Sequence, residues 1–180
     1  MPTNTHGYVS LTHACAWDVD AYNCAGVATF DLDNGVLVSL GDIAQSATGN
    51  NITGYQFNVA PPDAASATGL WIVSTPEVGS TLDMQLYSDP RYFYNPAGQP
   101  LSLKYLQAGV DCIEVDINCF AGSTFPTATN PYVPGGPAGK LGTPASSAPA
   151  SGTYFTFVGN HTVDVGQTLV NTVVLRCARN

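Results

Sequence analysis
RYFYNPAGQPLSLKYLQAGVDCIEVDI, residues 91–117, is the stretch on which the fold class turns. Its aromatic run Tyr92-Phe93-Tyr94 meets Asn95-Pro96-Ala97-Gly98, a turn signature because Pro presets φ and Gly accepts positive φ. Leu101, Leu103 and Tyr105 then alternate with Ser102 and Lys104, the two-residue period of a half-buried strand. Gly109 interrupts this pattern. Beyond it Ile113, Val115 and Ile117 point one way while Cys112, Glu114 and Asp116 point the other. Turn, strand, turn, strand reads as the central strand pair of a β scaffold. Nothing in the stretch pairs a nucleophile with a base or cradles a phosphate.

The flanking segments repeat this grammar. Phe30-Asp31-Leu32-Asp33 alternates apolar with acidic residues, and Asn34-Gly35 follows, the strongest short hairpin signal, so residues 27–40 are expected to form a hairpin. Trp17-Asp18-Val19-Asp20 alternates in the same way. The Asp-x-Asp spacing in both segments also suits a calcium ion, but an EF-hand needs a later Gly and Glu at fixed offsets, and solvent-facing carboxylates are the preferred reading. Tyr55, Phe57 and Val59 alternate as a strand ended by Pro61-Pro62, and Asp63 to Ala67 could make one helical turn. Leu70-Trp71-Ile72-Val73 is an unbroken apolar run of the kind covered on both faces. Near the end, 154–158 and 161–165 flank Gly159-Asn160 as a second expected hairpin, and Leu169 to Cys177 is a final strand. No segment holds the 3.6-residue period over three turns, so no substantial helix is expected.

Composition bounds the function. With 180 residues the chain can bury a real core. Charged residues make up only 10%, well below the roughly 25% of an average soluble domain, so the surface must be Ser, Thr, Asn, Gly and Ala. The net charge of −8, with 13 acidic and five basic residues, repels phosphate backbones and anionic membranes, so neither nucleic acid nor membrane is an expected partner. A basic protein partner is compatible with it, as is simple solubility. The start, MPTNTHGYVSLTHACAW, shows no secretory signal pattern, and no run approaches the ~18 apolar residues of a membrane helix. Five cysteines (Cys15, Cys24, Cys112, Cys119, Cys177) lack a C-x-x-C pair and read as reduced, buried small side chains rather than zinc ligands.

Candidate chemistry is thin. His6, His13 and His161 are the groups that titrate near neutrality, and nothing in sequence joins them to a nucleophile. Glu77 and Glu114 are the only glutamates, so a paired-carboxylate glycosidase would have to draw on one of 11 aspartates, where chance pairs carry no weight. Catalytic, cofactor-binding and metal residues are therefore assigned as none, and the chain is expected not to be an enzyme. Tyr92, Phe93, Tyr94 and Tyr132 are candidates for stacking a sugar, with Tyr132 the one expected to be exposed. A surface carbohydrate-binding β module is accordingly the alternative function.

Residues 122–152, GSTFPTATNPYVPGGPAGKLGTPASSAPASG, hold six of the 13 prolines and six of the 18 glycines. Together with the polar residues 1–16 they are expected to be extended arms held by a neighbouring subunit, the other possibility being that the loop folds back on its own domain. The expected architecture is thus all-β. It is a single antiparallel sandwich or barrel of about eight to ten short strands, with a core over 17–121 and 153–180, a long Pro/Gly-rich loop and an N-terminal arm.

FDLDNGVLVSLGD (30–42), LWIVSTPEV (70–78) and YNPAGQPLSLKYLQAGVDCIEV (94–115), followed by VVLRC (173–177), together resemble the capsid decoration proteins, or auxiliary head (cement) proteins, of tailed bacteriophages. The chain departs from that family in its low Lys and Glu content and its inserted Pro/Gly/Ser loop. The resemblance implies a non-enzymatic virion protein without cofactors. It would be made in the host cytoplasm and would bind the exterior of the shell, with the major capsid protein and further copies of itself as partners. Many weak contacts on a symmetric lattice would offset the cost of ordering its arms.

Overall fold
In a computed structural model, residues 6–12, 14, 20–45, 52–63, 66–77, 90–165 and 168–180 are described. The chain is all-β, as expected, and the ten strands among the described residues form two sheets. A five-stranded antiparallel sheet has the order β1 (Val9–Ser10), β7 (Cys112–Asp116), β10 (Thr168–Arg179), β9 (Tyr154–Val165), β8 (Tyr132–Pro134). A closed five-stranded barrel runs β2 (Asn23–Val27), β4 (Ile52–Ala60), β3 (Leu37–Gln45), β5 (Trp71–Val73), β6 (Pro100–Tyr105) and back to β2. One contact in the barrel, β2 with β4, is parallel. The helical elements described are short 3-10 turns, and among the described residues no helix is long and apolar enough to cross a membrane.

The apolar run 70–73 explains how the two sheets join. Ile72 and Val73 are both fully buried, but their side chains belong to different cores. Val73 lies inside the barrel with Val36, Val38, Leu101 and Leu103, whereas Ile72 joins Leu37, Ile113, Val115, Phe155 and Leu175 in the core shared with the sheet. Strands β3 and β5 therefore face the barrel on one side and the sheet on the other, which is why neither side of the run can be polar. A five-stranded barrel has little room inside. Gly26 fits there because any Cβ would lie 2.7 Å from Leu103 and 2.9 Å from Leu101.

Four local expectations are corrected. First, residues 101–105 and 112–116 are strands, but they are not partners: β6 closes the barrel and β7 sits in the sheet, with Gly109 (φ +81) at the switch between them. Second, residues 27–40 are not a hairpin. Gly35 does turn at φ +84, yet β2 pairs with β4 and β6 while β3 pairs with β4 and β5. The Asn34 side chain is drawn into tertiary bonds instead: it donates to Thr75 O (3.0 Å) and accepts from Thr75 N (3.1 Å) and Asn95 Nδ2 (3.2 Å). Third, Gly159-Asn160 does not reverse the chain. β9 runs unbroken for 12 residues, and its pairing with β10 begins at Val165↔Thr168. Gly159 pairs in register with Val174, because the alternating Thr162-Val163-Asp164-Val165 that follows supports strand as well as the residues before it.

The fourth correction concerns the arms. In the N-terminal segment Val9, Leu11 and Ala14 are buried in the shared core, and β1 pairs with β7. The loop 122–152 folds back on its own domain. Val133 and Leu141 are completely buried, β8 pairs with β9, and Leu141 donates to Cys119 O while its own carbonyl accepts from Ala121 N. The glycines allow this close approach: at Gly139 (φ +77) a Cβ would collide with the carbonyl oxygen of Leu37. Arg179 fastens the far end of the loop by donating to the carbonyls of Gly152 (2.6 Å), Ala150 (3.3 Å) and Pro149 (3.0 Å). Proline and glycine content here marks a loop without regular structure that is nonetheless packed.

Asp116 ties the N-terminal segment to the sheet. It is 1% exposed and accepts from Tyr8 N (3.0 Å), Asn118 N (3.2 Å), Asn118 Nδ2 (2.9 Å) and the Cys119 thiol (3.6 Å). Burial raises its pKa, with these hydrogen bonds pulling the other way. A carboxyl whose folded pKa lies above its unfolded value of about 3.9 contributes stability that is fully present below that value and lost as pH rises through the folded pKa. Asp116→Asn removes this titration. The melting temperature of the variant minus that of the wild type should therefore climb between pH 4 and pH 7; a flat difference would contradict the assignment.

Candidate functional site
Strands β9 and β10 outrun the sheet that supports them. On the β10 side, β7 pairs only with residues from Thr172 to Arg176. On the β9 side, β8 pairs from Tyr154 to Thr156, and Phe157 N adds a bond to Pro131 O. Beyond these limits the two strands continue as a ribbon, paired with each other as Val163↔Val170 and Thr162↔Asn171 and joined by a hydrogen bond from Thr162 Oγ1 to Asn171 Oδ1 (3.3 Å). Their outer edges have no further ladder partner among the named strands.

A bulge marks the base of the ribbon. The register steps from Leu175↔Phe157 to Val174↔Gly159, so Val158 has no ladder partner on β10 and the residue is 58% exposed. Further out, Leu169 is 73% exposed. Between Phe157 and Val165 and between Thr168 and Thr172 the only formally charged residue is Asp164, with His161 the one other ionisable side chain. On a chain of net charge −8 this is a nearly neutral projection with exposed aliphatic side chains. Such a surface loses little when stripped of water, the composition found at the buried centre of protein interfaces. A cleft of about 470 Å³ lies at the base, between Phe125, Pro126 and Thr127 of the folded-back loop and Asn160, Thr162 and Asn171 of the ribbon.

One carboxylate holds the ribbon to the sheet. Glu114, 6% exposed on β7, accepts from Thr172 Oγ1 (2.6 Å) on β10 and contacts His161 Nδ1 (2.7 Å) on β9 through the same Oε1. Three strands are thereby linked through a single oxygen. A charged acceptor with two short partners orients both strands where the flanking ladder ends.

The remaining candidates from the sequence are dispersed. His6 pairs with Asp33 (2.7 Å) and stacks on Tyr94 with ring centroids 5.0 Å apart, while Asp31 accepts from Ala97 N (2.9 Å). His13, Cys15 and the acidic pattern at 17–19 lie outside the described residues. Phe93 is 7% exposed, and Tyr132, expected to stand free, is half-buried edge-on to Tyr154 at 6.2 Å, with Arg179 over the Tyr154 ring. Burial removes Phe93 from any sugar-stacking surface, and pairing of β8 with β9 takes up part of Tyr132. Burial pushes the Cys24 thiol up to about 11 and the Cys177 thiol up to about 12, and raises Cys119 well above its usual value, with Asp116 adding to the effect. These thiols stay protonated at neutral pH and fill space. Among the described residues no group of three His, Cys, Asp or Glu side chains is arranged to hold a metal ion.

Neither a family model, nor a curated protein, nor a solved structure matches this chain. Its functional reading therefore rests on this geometry and on the sequence pattern.

Proposed function
We propose that this chain is a non-enzymatic structural protein of a virus particle, which binds the outer face of a phage capsid and stabilises contacts between capsomers. The observation that supports this reading most is the β9–β10 ribbon: long, nearly neutral, without a further ladder partner among the described strands and anchored at its root by Glu114. A free strand edge can add to a neighbouring sheet or lie across a seam between subunits, and backbone bonds then supply affinity without side-chain chemistry. The body behind it is built on two buried cores, with the loop 122–152 folded back onto one of them. The major capsid protein is the partner in this reading, with lattice neighbours of the same chain as secondary contacts. Repetition over the shell lifts a weak single contact to stable occupancy.

The test is co-sedimentation with undecorated capsids. The expected result is saturable pelleting at a fixed ratio of chain to capsid subunit. Absence of saturable pelleting would overturn the reading.

A further inference from the structure
The β9 edge of the ribbon carries a pattern that complements itself. From Gly159 to Val165 its register with β10 is uninterrupted, so side chains alternate strictly along this run. His161, which contacts Glu114, shares one face with Val163 and Val165. Asn160, Thr162 and Asp164 take the opposite face, where Thr162 bonds to Asn171, and all three are exposed. Among the described residues neither the Asn160 amide nor the Asp164 carboxylate has a side-chain hydrogen-bond partner.

Read in the reverse direction, this face places an acceptor opposite each donor. With Thr162 set against Thr162 of a second copy, Asn160 lies opposite Asp164 at both ends of the contact. A two-fold axis perpendicular to the sheet keeps the three side chains on the same face in both copies, as direct cross-strand pairing requires. Each Asn160 amide then donates to the facing carboxylate, a charge-assisted bond, and the two carboxylates stay at opposite ends. Backbone groups on the two edges complete the ladder.

We infer that the β9 edge pairs, antiparallel and across a two-fold axis at Thr162, with the β9 edge of a second copy of this chain. The paired run is short and each copy carries a net charge of −8, so the association is weak, with Kd on the order of 1 mM in solution. It leaves the β10 edge and Leu169 open to another partner. On a shell the same contact would join neighbouring copies, but the inference rests on the ribbon's geometry and not on the capsid reading.

Oxidative cross-linking of Thr162→Cys tests it on the full chain without capsids, so its failure and the failure of co-sedimentation are separate results. Residues directly opposite across the axis have Cα atoms about 5 Å apart, within reach of a disulfide. The expected result is a covalent dimer at chain concentrations of about 1 mM, formed well beyond the background that the native cysteines give in the wild type. Asn171→Cys is the control for random collision: three strand spacings of about 4.8 Å separate its two copies, too far for a disulfide, so it stays at background. Adding Asn160→Asp to Thr162→Cys sets carboxylates face to face and should slow cross-linking roughly threefold to tenfold; adding Asp164→Asn as well should restore it. The substituted positions are all exposed, so the fold is not in question. No dimer above the wild-type background overturns the inference. So does equal linking at 162 and 171, and so does a rate that Asn160→Asp leaves unchanged.

Discussion

Leu141→Ala is expected to destabilise the protein by about 2–5 kcal/mol, the cost of a cavity at a fully enclosed leucine. Leu141 has no exposed surface and sits in the shared core with Leu37, Leu106 and Val133. Its backbone is held from both sides, by Cys119 O and Ala121 N, so the site cannot collapse easily. The upper half of the range is therefore the expectation. Gly139→Ala should act through a second mechanism, because its φ of +77 and the nearby Leu37 carbonyl leave no place for a methyl group. Both are read from urea unfolding midpoints. If Leu141→Ala shifts stability by less than about 1 kcal/mol, the loop 122–152 is not part of the core. Removing the whole loop should prevent folding, the opposite of what a freely extended arm predicts.

The second large effect belongs to the ribbon. Leu169→Asp combined with Val158→Asp should lower pelleting with capsids by at least about tenfold while leaving the melting temperature nearly unchanged. Both side chains are mostly exposed, so the folded state loses little. A bound state that covers them must strip water from two carboxylates instead of two aliphatic groups, and that cost falls entirely on binding. Glu114→Gln is the companion variant. It keeps an acceptor for Thr172 but loses the charge beside His161, so it should loosen the ribbon's root and raise amide exchange in β9 beyond the bulge.

Much of the architecture was legible because strands announce themselves by period. β4, β5, β6, β7 and β10 lie where alternation or an apolar run placed them, and the doubly covered run 70–73 proved to be the joint between the two cores. Pairing was not legible. Asn34-Gly35 has hairpin chemistry, but the local turn preference lost to a network joining Asn34, Thr75 and Asn95, residues remote in sequence. At Gly159-Asn160 a permissive glycine was compatible with a turn and with a bulged strand, and only the partner strand decides between them. The composition of 122–152 misled for a related reason. Proline and glycine remove regular hydrogen bonding, yet they do not prevent one leucine and one valine from anchoring a loop. The ribbon was visible only in part. Its neutral Thr/Val/Asn sequence is evident, but its lack of flanking strands is a property of the whole sheet.

The most direct test of the proposed role is hydrogen–deuterium exchange on the chain free and bound to undecorated capsids. Docking through the ribbon predicts new protection of amides in 158–165 and 168–171, with β8 and the barrel unchanged. Binding that protects other surfaces while those ribbon amides exchange as fast as in the free chain would contradict it.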